Sequence, residues 1–222
     1  RLFVSSSQNL RQWTKHGSVF KKAGEHYVDM WSKAGSIICR LEDGKLIATK
    51  INGTYWMYWG ESNIYAATSD NLIDWTPILE TDPDKQILDS MRGYTTAFKI
   101  VFSTRKGNFD SELVEPGPPA LLTDQGILFI YNSKNSPEFG DKNLAPGTYA
   151  AGQIIMDKEN PLIPLHRMDN WFISPDQPFE ITGQVNNVCF VEGLAFFQNK
   201  WLLYYGTADS KIAVAECQTK IN

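Results

Sequence analysis

Apolar positions in this chain recur with the two-residue rhythm of half-buried strands, in short runs separated by glycine, asparagine and proline. Leu2 to Ser5, Ile64 to Ala67, Ile127 to Tyr131 and Ile212 to Ala215 read as strands. Gly44 to Ala48 and Asn52 to Trp59 read as strands entered through tight turns. Asn52-Gly53 is the plainest hairpin signal, because both residues tolerate the positive φ of a type I′ turn. The ending, Asn199 to Gly206, then Ala208-Asp209-Ser210 and a last strand, follows the plan of Tyr55 to Ala67. No segment sustains a 3.6-residue apolar period, so helices are expected to be few and short.

The pattern also repeats at longer range. Ser7-Gln8-Asn9-Leu10-Arg11-Gln12-Trp13-Thr14 returns 62 residues on as Ser69-Asp70-Asn71-Leu72-Ile73-Asp74-Trp75-Thr76, each copy behind a strand. A period of this size points to an array of repeated sheets. Short strands with aromatic and glycine punctuation fit a sandwich, a barrel or a propeller, and the internal copies favour the propeller. Two stretches break the rhythm. Thr81 to Arg92 reads as a connection with a helical turn at Ile87 to Met91, and Ser133 to Thr148 reads as a long irregular loop, either a binding loop or a plain insertion.

Composition narrows the partners. The 222 residues are 42% apolar, enough for one large all-β domain, and the formal net charge of −4 offers no basic field for nucleic acid or an anionic membrane surface. A small neutral substrate fits better. Aromatic content of 13%, with seven Trp, suits a β core first and sugar platforms second. Cys39, Cys189 and Cys217 lack metal-site spacing and read as small buried hydrophobes. No apolar run approaches the roughly 20 residues of a membrane span, so the product is expected to be soluble, in cytoplasm or periplasm. Residue 1 lies in a strand-like run, which suggests that the numbering starts inside a longer protein.

Carboxylates are the abundant catalytic currency. His16, His26 and His166 sit in unlike contexts, and neither a zinc-protease, a serine-hydrolase nor a phosphate-loop frame occurs. Asp110, Glu112 and Glu115 stand before the stiff turn Pro116-Gly117-Pro118-Pro119; Asp110 and Glu112 would share one side of an extended segment. Glu192 interrupts the apolar run Phe190 to Leu194, where a charge costs stability unless it has a partner or a task. With Asp209 at a turn, these residues match the needs of glycoside hydrolysis, two carboxyl groups on opposite faces of a sugar.

The runs FDSELVEPGPPALLTDQGILFIYN, YAAGQIIMDKENPLIPLHRMD, FEITGQVNNVCFVEGLAFF and KWLLYYGTADSKIAVAEC together resemble glycoside hydrolase family 130. The resemblance covers almost the whole chain. It implies a single five-bladed β-propeller domain acting on β-mannosides with inversion, without metal or cofactor, either as phosphorylase or as hydrolase. It also implies that Arg167 contacts sugar, that Asp209 binds hydroxyls, and that Lys33, Arg105, Asp110, Tyr131 and Asn132 line the site.

Two departures from the family pattern sharpen this. Phosphorolytic members carry a basic residue shortly before the Gly-Pro-Pro turn and a histidine after the tyrosine of the next strand, since phosphate needs cationic partners. Those places hold Leu113 and Asn132 here, with Glu115 close by. The expectation is therefore a β-1,2-mannosidase-like hydrolase with Glu115 and Glu192 activating water. A phosphorylase and a non-catalytic sugar-binding propeller are the alternatives, and self-association stays open. The family's acidic Asp-Pro-Arg-like motif is absent, Asp82-Pro83-Asp84 having other surroundings, and the length suits about four blades at roughly 45 to 60 residues each. Either part of the N-terminal blades, and the acid with it, is expected to be missing, or this member has lost its acid.

Overall fold

The computed structural model describes residues 1–88 and 96–217. The strands are β1 (Phe3–Ser6), β2 (Thr14–Ser18), β3 (Gly35–Glu42), β4 (Lys45–Ala48), β5 (Lys50–Ile51), β6 (Thr54–Trp59), β7 (Asn63–Ser69) and β8 (Thr76–Pro77). Beyond them lie β9 (Ile100–Ser103), β10 (Leu113–Pro116), β11 (Ala120–Thr123), β12 (Gly126–Lys134), β13 (Tyr149–Met156) and β14 (Pro164–Arg167). A one-turn helix, α1 (Pro178–Ile181), precedes β15 (Cys189–Phe197), β16 (Lys200–Thr207) and β17 (Lys211–Cys217). The chain is all-β, as the alternation predicts. Among the described residues, regular helix is confined to α1 and two single 3-10 turns.

β1 and β2 form a two-stranded sheet, β15-β16-β17 a three-stranded one, and the rest a continuous twelve-stranded sheet in the order β14-β13-β12-β11-β3-β6-β7-β8. β3 joins its halves: Gly35 to Ile37 pair antiparallel with β6, whereas Ile38 and Cys39 pair parallel with β11. Turn chemistry sets the hairpins. Asn52 and Gly53 sit at φ 53° and 85°, the positive values that a type I′ turn demands.

The sequence copies are structural copies. In each, the first Asn of the turn accepts through Oδ1 from two backbone N–H groups, Arg11 and Gln12 onto Asn9, Ile73 and Asp74 onto Asn71. In each, the Leu adopts positive φ and receives the Trp indole N–H on its carbonyl, at 3.3 Å for Trp13 to Leu10 and 3.2 Å for Trp75 to Leu72. The copies part in packing: Trp75 is 1% exposed and Trp13 54%.

Three apolar clusters hold the sheets together. One lies between the halves of the large sheet around Ile38, Phe102, Phe129 and Ile154; a second joins Phe20, Trp59, Trp75 and Phe98; a third packs Ile130 and Ala151 against Val191 and Leu203. The third cluster docks the three-stranded sheet on β12 and β13. Trp59, Trp75 and Trp201 are core residues and Trp56 and Trp171 pack partly buried against the first cluster, so the core claims most of the tryptophan content that could be read as sugar platform.

Four expectations need correction. Ser133 and Lys134 belong to β12, so the irregular loop begins at Asn135, whose buried amide organises it by bonding Asp141, Leu144 and Ala145. Cys217 is exposed, because β17 is an outer strand; Cys39 and Cys189 are buried. Asp110 and Glu112 do not share a side: the backbone turns at 109–112, burying Asp110 and leaving Glu112 at the surface on Lys134, so the two-residue strand period does not apply. Glu192 is exposed rather than set among buried neighbours. The helical turn expected at Ile87 to Met91 falls partly outside the described residues.

Candidate active site

The acidic corner is built by β10 and β12, which pair antiparallel with Glu115 opposite Asn132 and Pro116 opposite Tyr131. The proline-rich turn after Pro116 leads straight into β11, so the corner is pinned on two sides. Glu115 is buried at its base.

Asn132 is fully buried and carries the corner across to β15. Its Nδ2 donates to the Val191 carbonyl at 2.9 Å and, at 3.4 Å, to that of Pro116; its Oδ1 accepts the Val191 N–H at 2.7 Å. Gly117 closes the same junction. A Cβ there would stand 2.9 Å from the Ile130 carbonyl oxygen and 3.1 Å from Val191 Cγ2, so the close approach needs glycine.

Glu192 follows Val191 as the extra residue of a β-bulge: Val191 pairs with Tyr205 and Gly193 with Tyr204, which leaves Glu192 unopposed. The bulge is why an acidic residue stands in an apolar run and still reaches solvent. Desolvation by the surrounding residues pushes its carboxyl above the usual glutamate range, the direction that brings a carboxylate closer to the pKa of a useful base. Glu115 and Glu192, far apart in sequence, are thus carried by segments joined through one side chain.

Behind this corner lies a buried charged cluster. Asp110, with no exposed surface, accepts from Arg105 Nε and Nη2, from the Tyr131 hydroxyl at 2.8 Å and from Arg167 Nη2 at 2.6 Å. Arg167 spends its other donors on the Tyr131 oxygen and the Ser103 carbonyl, and stacks over Phe102 with its guanidinium carbon 4.6 Å from the ring centre. Arg105 also reaches the Met168 carbonyl and Asp169. Burial, and next the Asp110 charge, push the Tyr131 phenol well above its ordinary range, so it stays a neutral donor. The Tyr131 ring lies against Gly152 where any Cβ would collide with it.

The residues named from sequence therefore fall into three places. Glu115 and Asn132 stand opposite each other at the corner, and Asn132 bonds the backbone of Val191, the residue before Glu192; Arg105, Asp110, Tyr131 and Arg167 form the buried cluster behind it. Lys33, in the segment before β3, and Asp209, at φ 51° in the β16–β17 turn, are exposed, and among the described residues no hydrogen bond joins either to these groups. Sequence reasoning passed over Glu180, a buried carboxylate that accepts from the Tyr205 hydroxyl and the backbone N–H groups of Asp176 and Gln177. Its signal was legible: Gln-Pro followed by Glu at the third helical position is a capping pattern. A cavity of about 320 Å³ between β12–β13 and β15–β17 is lined by Leu128, Ile130, Phe172, Leu194, Trp201 and Leu203. It is apolar, and neither Glu115 nor Glu192 lines it.

A family model described as beta-1,4-mannooligosaccharide phosphorylase, that of glycoside hydrolase family 130, matches residues 1–221. The chain belongs to glycoside hydrolase family 130. It is 44% identical, with a TM-score of 0.90, to the crystal structure of a glycosyl hydrolase from Bacteroides ovatus, covering 99% of this chain and 58% of that one. It is 42% identical, again at TM-score 0.90, to a structure described with the words "the GH130 family of mannoside phosphorylases contains glycoside hydrolases that target beta-1,2 mannosidic linkages in Candida mannan"; 99% of this chain and 58% of that one are covered. A curated relative, the 1,2-beta-oligomannan phosphorylase of Thermoanaerobacter sp. (strain X514), is 26% identical over 99% of this chain and 59% of its own length. The chain thus spans about three fifths of the length of these relatives. Family 130 comprises enzymes that process mannosides.

Proposed function

We propose that this family 130 chain carries the nucleophile side of an inverting β-mannoside hydrolase, with Glu115 and Glu192 holding the water that attacks the anomeric carbon. The observation that carries this is the Asn132 amide, bonded to both backbone groups of Val191 and standing opposite Glu115. It brings two carboxylate-bearing segments together and is itself spent on backbone. A phosphate approaching such a place meets like charge, whereas water finds acceptors for its protons.

In the reaction, one water O–H bond breaks and its proton passes to a carboxylate as the oxygen bonds the anomeric carbon. The bond to the leaving oxygen breaks on the opposite face, and an acid not assigned among the described residues supplies its proton. We read the sheets as consecutive blades of one five-bladed propeller whose remaining blades, and the acid, lie in the part of the family fold this chain does not span. Lys33 and Asp209 are kept as sugar contacts, while Arg105, Asp110, Tyr131 and Arg167 are read as the support behind the corner.

Phosphorolysis is the second reading, favoured by the family model's description and by the Thermoanaerobacter relative. The identity to glycoside hydrolase structures is higher, at 44% and 42% against 26%. Incubation with β-1,2-mannobiose, with and without inorganic phosphate, separates the two. Mannose at a rate independent of phosphate supports hydrolysis; mannose 1-phosphate overturns it. Binding of mannobiose without turnover would instead mark a sugar-binding propeller.

A further inference from the structure

We propose that Asn132 is a positioning residue that sets the Glu192 bulge against the Glu115 strand, a role that rests on the reading of these two carboxylates as the water-activating pair. β15 is the outer strand of its sheet, so on the side away from β16 the N–H and C=O of Val191 have no strand neighbour. The Asn132 carboxamide takes that neighbour's place, donating to one group and accepting from the other at 2.9 and 2.7 Å. Both backbone groups belong to a residue with no exposed surface, where an unmet N–H or C=O is costly.

The clamp acts at the one point where it can govern the bulge. Val191 is the last regularly paired residue before Glu192, and pairing resumes at Gly193. A shift at Val191 is passed directly to the next Cα, whose side chain has no cross-strand partner to hold it. On the other side, Asn132 stands opposite Glu115 and also bonds the Pro116 carbonyl. Gly117 packed on Val191 fixes how near the segments come, and Asn132 fixes their register. The titratable groups beside the clamp are Glu115 and Glu192, with Tyr131 next to Asn132 in β12 and Tyr205 opposite Val191 in β16.

Few side chains meet the need for one donor and one acceptor on a single flat, short group. An ionised aspartate would set an oxygen against the carbonyls of Val191 and Pro116, acceptor facing acceptor. Leucine would satisfy neither Val191 group. A protonated aspartic acid would restore one donor and one acceptor, and burial among carbonyl oxygens favours that form.

The test uses the full chain with Asn132→Asp and Asn132→Leu, following β-1,2-mannobiose hydrolysis across pH, thermal unfolding, and amide exchange at Val191. The expected result for Asn132→Asp is a kcat lower by about 100-fold at neutral pH with KM little changed, as for a misplaced catalytic group. Its activity relative to wild type should then rise at least about tenfold as pH falls and the new carboxyl protonates, one pH unit changing the protonated fraction by about that factor. Asn132→Leu should lose activity without pH recovery and speed the exchange of the Val191 N–H. A pH-independent ratio in Asn132→Asp, or a loss that follows only the fraction unfolded, overturns the proposal. A wild type that hydrolyses nothing sinks the functional reading instead, and Val191 then decides the clamp: protection in wild type that is lost in either variant supports it. Fast exchange already in wild type overturns it, even if neither variant folds.

Discussion

Arg167 donates to Asp110 at 2.6 Å from a guanidinium that also holds the Tyr131 oxygen, and Asp110 has no exposed surface. Two arginines and a phenol therefore converge on one buried carboxylate, directly behind the strand pair that carries Glu115.

That convergence predicts large, coupled stability effects. Asp110→Ala leaves the Arg167 guanidinium without its anion and Arg105 with only the exposed Asp169, and should cost about 3–5 kcal/mol. Tyr131→Phe removes one hydroxyl that both donates and accepts, and should cost about 1–3 kcal/mol. Because the residues share one network, the double variant should cost less than the sum. Denaturant titration of the three variants checks this; additivity would show that the cluster does not act as a unit.

The two turn copies predict opposite sensitivities for the same residue type. Trp75→Ala empties a fully buried site in the second cluster and should cost about 3–5 kcal/mol. Trp13→Ala, at the surface, should stay within about 0.5 kcal/mol. Equal costs in thermal unfolding would mean that the first copy is packed in solution.

Glu192 predicts the acidic limb of the rate profile. A base works ionised, so kcat/KM falls as pH drops through its pKa; with the carboxyl raised by desolvation, the fall should begin above the pH expected of an ordinary glutamate. Glu192→Gln should abolish turnover and, because the side chain is exposed, leave the unfolding temperature nearly unchanged. A limb at the ordinary glutamate position, or turnover in the glutamine variant, would remove Glu192 from the reaction.

Thiol chemistry reads the same fold independently. Cys217 is exposed and should react rapidly with a disulfide reagent. Cys39 and Cys189 are buried, with desolvation pushing their thiols up to about 11 and about 12, so both should react only as fast as the protein opens. Two fast thiols per chain would contradict the packing of β3 or β15.

How much of this was legible in the sequence follows from range. The all-β class, the Asn52-Gly53 hairpin and the twin Asn-Leu-x-x-Trp turns are written in neighbouring residues, since turn φ values and side-chain-to-backbone bonds close within a few positions. Glu115 could be singled out because it stands before a stiff proline turn, and Asn132 because it departs from the family pattern. Their roles could not, since the partner of Asn132 lies 59 residues away on another sheet. Only the tertiary structure decided that Asp110 is buried with Arg167 brought from 57 residues away beside its neighbour Arg105, that Glu192 escapes burial through a bulge, and that one carboxamide ties the two acidic segments together. Burial and long-range pairing depend on which strands meet, and alternation along a strand states which face is apolar without stating what will cover it.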